Sequence, residues 1–343
     1  MTSHSGQDPR AEPVVRAEPV VAGVRAAPAG FGVGRSAPTF RNVRQSDVEA
    51  CLEVFYTAAE ELHSRTGEPV MPRNPAPLER LFHHLIGTDP ALSWLAEVDG
   101  RAVAFGIAHQ REDHWFLGFL FVLPEWQSRG LGRAVLERCL PPASQRDRVR
   151  VSVFVEAIQP VATGLYAGYG MAPRVPVYVL TGAPRPGSLP DLPTGIVPTP
   201  HGQLAGAAGD DGPWLGHMAA FDRMLVGYTR PTEHQLWLAT GRRGFLYGLS
   251  GGDPVAYGYV QDSGRVGPVG VTDPALLPAV LGHLFRSAQP SGAWQVIVPG
   301  PAETAMVPLI RAGFRIDGSP AVYSSSWPGP LFEQYLPMNF ALL

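Results

Sequence analysis

The stretch 119–140, FLFVLPEWQSRGLGRAVLERCL, constrains this chain more than any other, because its hydrophobic period changes abruptly within one short run. Residues 119–123 form a continuous apolar run that reads as a strand, stopped by Pro124, which has no N–H to offer a neighbouring strand. Beyond Gln127-Ser128-Arg129-Gly130-Leu131-Gly132, the residues Leu131, Val135, Leu136, Cys139 and Leu140 fall on one helical stripe. The glycines therefore sit where a helix begins. A helix start presents unpaired N–H groups and the positive end of the helix dipole, which suits an anion such as a pyrophosphate. Gly130 and Gly132 lack a Cβ and let the backbone come close to phosphate oxygens. Arg129 from the loop and Arg133 from the first turn are candidates to place guanidinium groups on the same phosphates.

The run Val122-x-Pro124-x-x-Gln127-x-x-Gly130-x-Gly132 resembles the acyl-CoA signature of the GNAT (GCN5-related) N-acetyltransferases: Gln or Arg, two residues, Gly, one residue, Gly or Ala. A second run, Gln159-x-x-Ala162-x-x-Leu165-Tyr166-x-x-x-Gly170, resembles another helix of that family, with Gln159 where Asn is usual and Met171 where Phe is usual. The resemblance implies an α/β protein of two tandem GNAT-like domains, each a mixed, mostly antiparallel central sheet flanked by helices. It implies acetyl-CoA as acyl-donor substrate, held by Phe121, Val122, Leu123, Gln127, Ser128, Arg129, Gly130, Leu131, Gly132, Arg133, Gln159 and Tyr166, and direct attack by an amine in a ternary complex. The Leu120 N–H is then the group aimed at the acyl carbonyl, and Tyr166 the acid beside the departing sulfur. For the general base, Glu156 before the Tyr166 helix, His114 at the start of the signature strand, and a water relay all stay open.

Along the chain, RAEPVV occurs at 10–15 and again at 16–21, and residues 1–38 carry too little apolar surface to offset the entropy of ordering them, so a disordered tail is expected. Strand, two helices, three strands, helix, strand, helix and strand are expected over 39–182, the acetyltransferase domain. Asp99-Gly100 supplies the positive φ of a tight hairpin turn. Residues 183–211, rich in Pro and Gly, read as a linker. The pattern then restarts over 212–327, but Gly270-Val271-Thr272-Asp273-Pro274 stands where the signature loop would be, without Gly-x-Gly and with an acid that repels phosphate. This half reads as a degenerate copy. The apolar residues Phe332, Tyr335, Leu336, Met338 and Phe340 predict that the tail 328–343 docks on a domain surface.

At 343 residues the chain has room for two cores, and a net charge of -3 with dispersed arginines gives no nucleic-acid surface. Cys51 and Cys139 sit in apolar helical patterns, no metal-ligand spacing occurs, and no metal is expected. No apolar run reaches the ~20 residues of a membrane-spanning helix, so no membrane partner and a cytoplasmic location are expected. The acceptor amine is unidentified, a small molecule being favoured over a protein, and homodimerisation is open. A non-catalytic acyl-CoA-binding sensor is the alternative of a different class, and a structural protein binding no CoA a third.

Overall fold

The computed structural model of the chain describes residues 36–69, 72–204, 211–290 and 292–343. The expected tail, 1–38, lies almost wholly outside them. The first half runs β1 (Thr39–Asn42), α1 (Val48–Thr66), α2 (Pro75–Thr88), β2 (Ser93–Val98), β3 (Arg101–Arg111), β4 (His114–Val122), α3 (Leu131–Cys139), β5 (Arg150–Glu156), α4 (Pro160–Ala167) and β6 (Ala172–Gly182). That is the element order the sequence pattern predicts, and the β2–β3 turn holds Asp99 and Gly100 at φ 50° and 77°. Helix α1 buries Val48, Cys51, Leu52, Phe55, Ala59 and Leu62 on one stripe and ends at Gly67 in the left-handed region.

The second half repeats the plan: β7 (Ile196–Pro200), α5 (His201–Leu204), α6 (Gly212–Leu225), α7 (Pro231–Ala239), β8 (Arg243–Leu249), β9 (Pro254–Val260), β10 (Arg265–Val271), α8 (Leu277–Arg286), β11 (Trp294–Pro299), α9 (Glu303–Ala312), β12 (Arg315–Ile316), β13 (Ala321–Ser325) and β14 (Tyr335–Leu336). The segment expected as a linker thus contributes β7. Pro198 and Pro200 are accommodated because β7 is the edge strand, bonded only to β8.

The strands join one mostly antiparallel sheet in the order β1-β2-β3-β4-β5-β13-β6-β11-β10-β9-β8-β7, with β12 pairing on β6 and β14 on β10 off that path, and helices pack on it. The closing strands are exchanged between halves. Strand β13, from the second half, pairs with β5 from Ala321↔Glu156 to Ser325↔Ser152, while β6, from the first half, pairs with β11 from Trp294↔Gly182 to Pro299↔Val177. The two exchanged strands pair with each other at the centre. A core shared by both halves covers this seam, drawing Phe116 from the first half together with Trp214, Tyr228, Tyr257, Tyr323 and Tyr335 from the second.

The parallel pairs β4–β5 and β10–β11 occupy equivalent places in the two halves, and both are short. Strand β10 meets β11 only at Arg265↔Gln295 and Val266↔Val296. Beyond that point β14 lies against β10 through Val269↔Leu336 and Gly270↔Tyr335. The expected docking tail therefore enters the sheet itself. Among the described residues, no helix is long and apolar enough to cross a membrane.

Candidate active site

Strands β4 and β5 pair in parallel only from His114↔Arg150 to Leu117↔Val153, and from there they diverge. The divergence begins at Gly118, where the register of β4 on β3 slips by one residue. A Cβ at Gly118 would stand 3.1 Å from the Ala341 carbonyl oxygen, so a side chain there would press on the segment after β14. The gap opens into a cavity of about 860 Å³ that passes between the strands and is lined from both faces of the sheet.

One wall of the cavity is an edge of free backbone. The Leu123 N–H donates to Val103 O at 2.9 Å, so strand alternation sends the N–H groups of Leu120 and Val122 to the opposite edge, where β5 has departed. At the end of that edge the chain turns through Pro124–Trp126, and the Gln127 side chain donates to Val122 O at 3.0 Å. Ser128 and Gly130 take φ 59° and 79°, and α3 follows with no side chain capping its first turn. The cavity reaches these uncapped amides, with Gln127, Ser128, Gly130, Leu131, Gly132 and Arg133 lining it.

The structure thus brings together Leu120, Phe121, Val122, Glu156, Gln159 and Tyr166 with six of the seven residues from 127 to 133. Two expected residues stand apart. Leu123 is buried with its amide committed to β3, and Arg129 lies over the Trp126 ring, 5.3 Å from its centroid, rather than in the cavity. Glu125 also points away from the loop, paired with Arg101 at 3.4 Å. His114 fails as a base on position: it is buried, bonded through Nε2 to Ser152 Oγ at 2.7 Å and stacked on Tyr228. Burial holds it well below the ordinary histidine range and therefore neutral.

Tyr166 lies near the end of α4, buried beside Cys139. Burial, with a smaller contribution from Cys139, pushes its phenol above the usual tyrosine range, so it is protonated at any physiological pH. Cys139 is itself pushed up to about 12 by burial and is no nucleophile. Glu156 sits at the end of β5, half exposed, with Oε1 3.6 Å from His63 Nε2. The His63 Nδ1 lies 2.8 Å from Pro69 O, and since a carbonyl only accepts, Nδ1 carries a proton and Nε2 faces the carboxylate. Spacing does not set His63 apart from the other histidines; the packing of α1 on β3 and β4 carries its last turn over the gap to Glu156.

The second half also supplies lining: Ala321 from β13, and Asn339, Phe340 and Ala341 beyond β14. Its own equivalent of the cleft is built differently. Asp273 accepts from Ala275 N at 2.9 Å and so sets a carboxylate on the 3-10 turn Pro274–Leu276 that leads into α8, where the first half has its glycine loop, and β14 fills the gap beside β10. Among the described residues no group of three or more His, Cys, Asp or Glu is placed to hold a metal ion.

Residues 56–171 match the model of the acetyltransferase (GNAT) family. No curated protein matches the chain. Among solved structures, a protein from Pyrococcus horikoshii assigned as an acetyltransferase superposes with a TM-score of 0.67 at 16% identity, over 89% of this chain and 96% of that one. A GCN5-related N-acetyltransferase from Sphaerobacter thermophilus gives 0.55 at 17%, over 89% and 98%. A tandem GNAT protein from the clavulanic acid biosynthesis pathway gives 0.52 at 15%, over 86% and 99%. At these identities the likeness is one of fold, and it extends through both halves.

Proposed function

We propose that this chain, in which residues 56–171 form a domain of the GNAT acetyltransferase family, transfers an acetyl group from acetyl-CoA to the nitrogen of a small-molecule amine. The observation that carries the reading is the cavity between β4 and β5, which joins an uncapped helix start to a free strand edge and ends at a carboxylate. The amides of the first turn of α3 and Arg133 suit the diphosphate, and the free edge of Val122 suits the amide-bearing pantetheine arm as an added strand. The Leu120 N–H is then the donor for the acyl carbonyl.

In this reading Glu156 takes a proton from the bound ammonium and His63, facing it, passes that proton toward solvent. The amine nitrogen attacks the thioester carbon, the C–N bond forms, the C–S bond breaks with its electron pair on sulfur, and the thiolate, stabilised by the Tyr166 hydroxyl, takes up the second proton that the nitrogen sheds on becoming an amide. Because the phenol is a weaker acid here than in water, Tyr166 acts first as a hydrogen-bond donor. Residues 39–182 supply the donor site, 212–327 form a degenerate copy, and 328–343 help wall the acceptor side. Thiol release from acetyl-CoA that depends on an added amine, with the acetylated amine identified by mass, supports this reading; tight acetyl-CoA binding without turnover on a broad amine panel would make the chain a sensor instead.

A further inference from the structure

The two faces of the sheet give the cavity two different ends. The α3 face carries the uncapped helix start, Arg133 and Gln159, which belong to the donor. The opposite face is closed by α1, α2 and the segment after β14, and its walls are Phe55, Leu62, Leu81, Phe121 and Phe340. These are not loose side chains. The Phe55 ring meets Phe121 edge-on at 4.8 Å between centroids, and Phe340 meets Phe154 edge-on at 5.4 Å.

Charge on this end is sparse. Among the described residues lining the cavity, Glu156 is the sole acid, and the cations are Arg65 and Arg133. Arg133 stands at the donor end, and Arg65 at the end of α1 is already paired with Glu61 at 3.3 Å. One carboxylate neutralises one ammonium. A second or third ammonium on the same acceptor would find no second carboxylate on these walls, and giving up its hydration there without an acid partner costs binding free energy.

Resting on the acetyltransferase reading above, we infer that the acceptor is a monoamine carried on an aromatic or branched apolar body, and not a polycation such as a polyamine or an aminoglycoside. The ammonium is placed at Glu156 and the body lies between the α1–α2 wall and Phe340.

The test uses the full-length protein, acetyl-CoA, and three amines of stated kind: 2-phenylethylamine, spermidine and kanamycin. Acetyl-CoA binding is read separately by thermal shift. The inference expects kcat/KM for 2-phenylethylamine to exceed that for either polycation by about a hundredfold. Placing a second carboxylate on the apolar wall with Leu81→Asp should raise KM for 2-phenylethylamine about tenfold and narrow the gap to spermidine, with acetyl-CoA still shifting the melting temperature. Should that variant not fold, Phe340→Ala reads the same wall through KM for 2-phenylethylamine. Equal or better use of spermidine or kanamycin overturns the inference, as does acetyl-CoA binding with no acetylation of 2-phenylethylamine. Absence of acetyl-CoA binding overturns the enzyme reading beneath it.

Discussion

At the scale of single residues, Tyr166 and Gly130 separate chemistry from construction. Tyr166→Phe removes the hydroxyl proposed to meet the departing sulfur and keeps the buried ring, so kcat should fall about a hundredfold while acetyl-CoA affinity changes little; an unchanged kcat on a verified acceptor would remove Tyr166 from the mechanism. Gly130 holds φ 79° at the start of α3, and Gly130→Ala should cost ~1–2 kcal/mol locally and weaken acetyl-CoA more than it lowers the melting temperature. Histidines set the acid limit. His109 is buried against Glu233, Arg111, Asp89 and His84, and burial brings its pKa down from 6.5 to about 4; His114, facing His109, Arg150 and Arg230, is held well below 6.5 in the same way. Below pH 6.5 the unfolded chain takes up protons that these folded histidines refuse. Stability should therefore fall from about pH 6.5 toward 4, by ~1.4 kcal/mol per pH unit for each histidine. Melting temperatures across that range check this, and His109→Gln should make the slope shallower.

At the scale of elements, how much could be read in advance depended on how local the cause was. Helix α3 and its glycine loop follow from residues within one or two turns of each other, and they stand where the pattern puts them. Strand β7 was hidden by two prolines that only an edge position tolerates, and α7 by a pattern whose buried positions are Glu233, His234 and Trp237 rather than an apolar stripe. The proximity of His63 to Glu156 and the buried position of His114 depend on packing between segments distant in sequence, which no local period encodes. The exchange of β6 and β13 is of the same kind, because either strand satisfies a gap of the same width. Strand β14 is the clearest consequence at this scale. It lies beside β10 where the first half has open cleft, and Asp273 sets a carboxylate on the turn into α8 where the first half has glycines, so the second half should take up no acetyl-CoA.

At the scale of the whole molecule, the halves are bound by backbone and by buried charge. Arg111 on β3 donates to Asp89 at 2.8 Å and to Glu233 on α7 at 2.6 Å, with Glu233 only 1% exposed. Burial alone would raise the Glu233 pKa, but His84 and Arg111 outweigh it and hold the carboxylate well below its usual range. Glu233→Gln leaves Arg111 half-paired in a buried seam and should cost ~3–5 kcal/mol, read as a lower urea midpoint; a loss under ~1 kcal/mol would show the pair to be solvent-screened. Separating the halves should be worse. A fragment ending at Gly182 keeps β5 and β6 but lacks β13, which lies between them, so it should fail to give a cooperative melt.

The parting of β4 from β5 is proposed to make a single donor site that the second half completes without duplicating. Calorimetric titration of acetyl-CoA into the full-length protein tests it most directly. One molecule taken up per chain is the predicted result, whereas two, or none by folded protein, would contradict it.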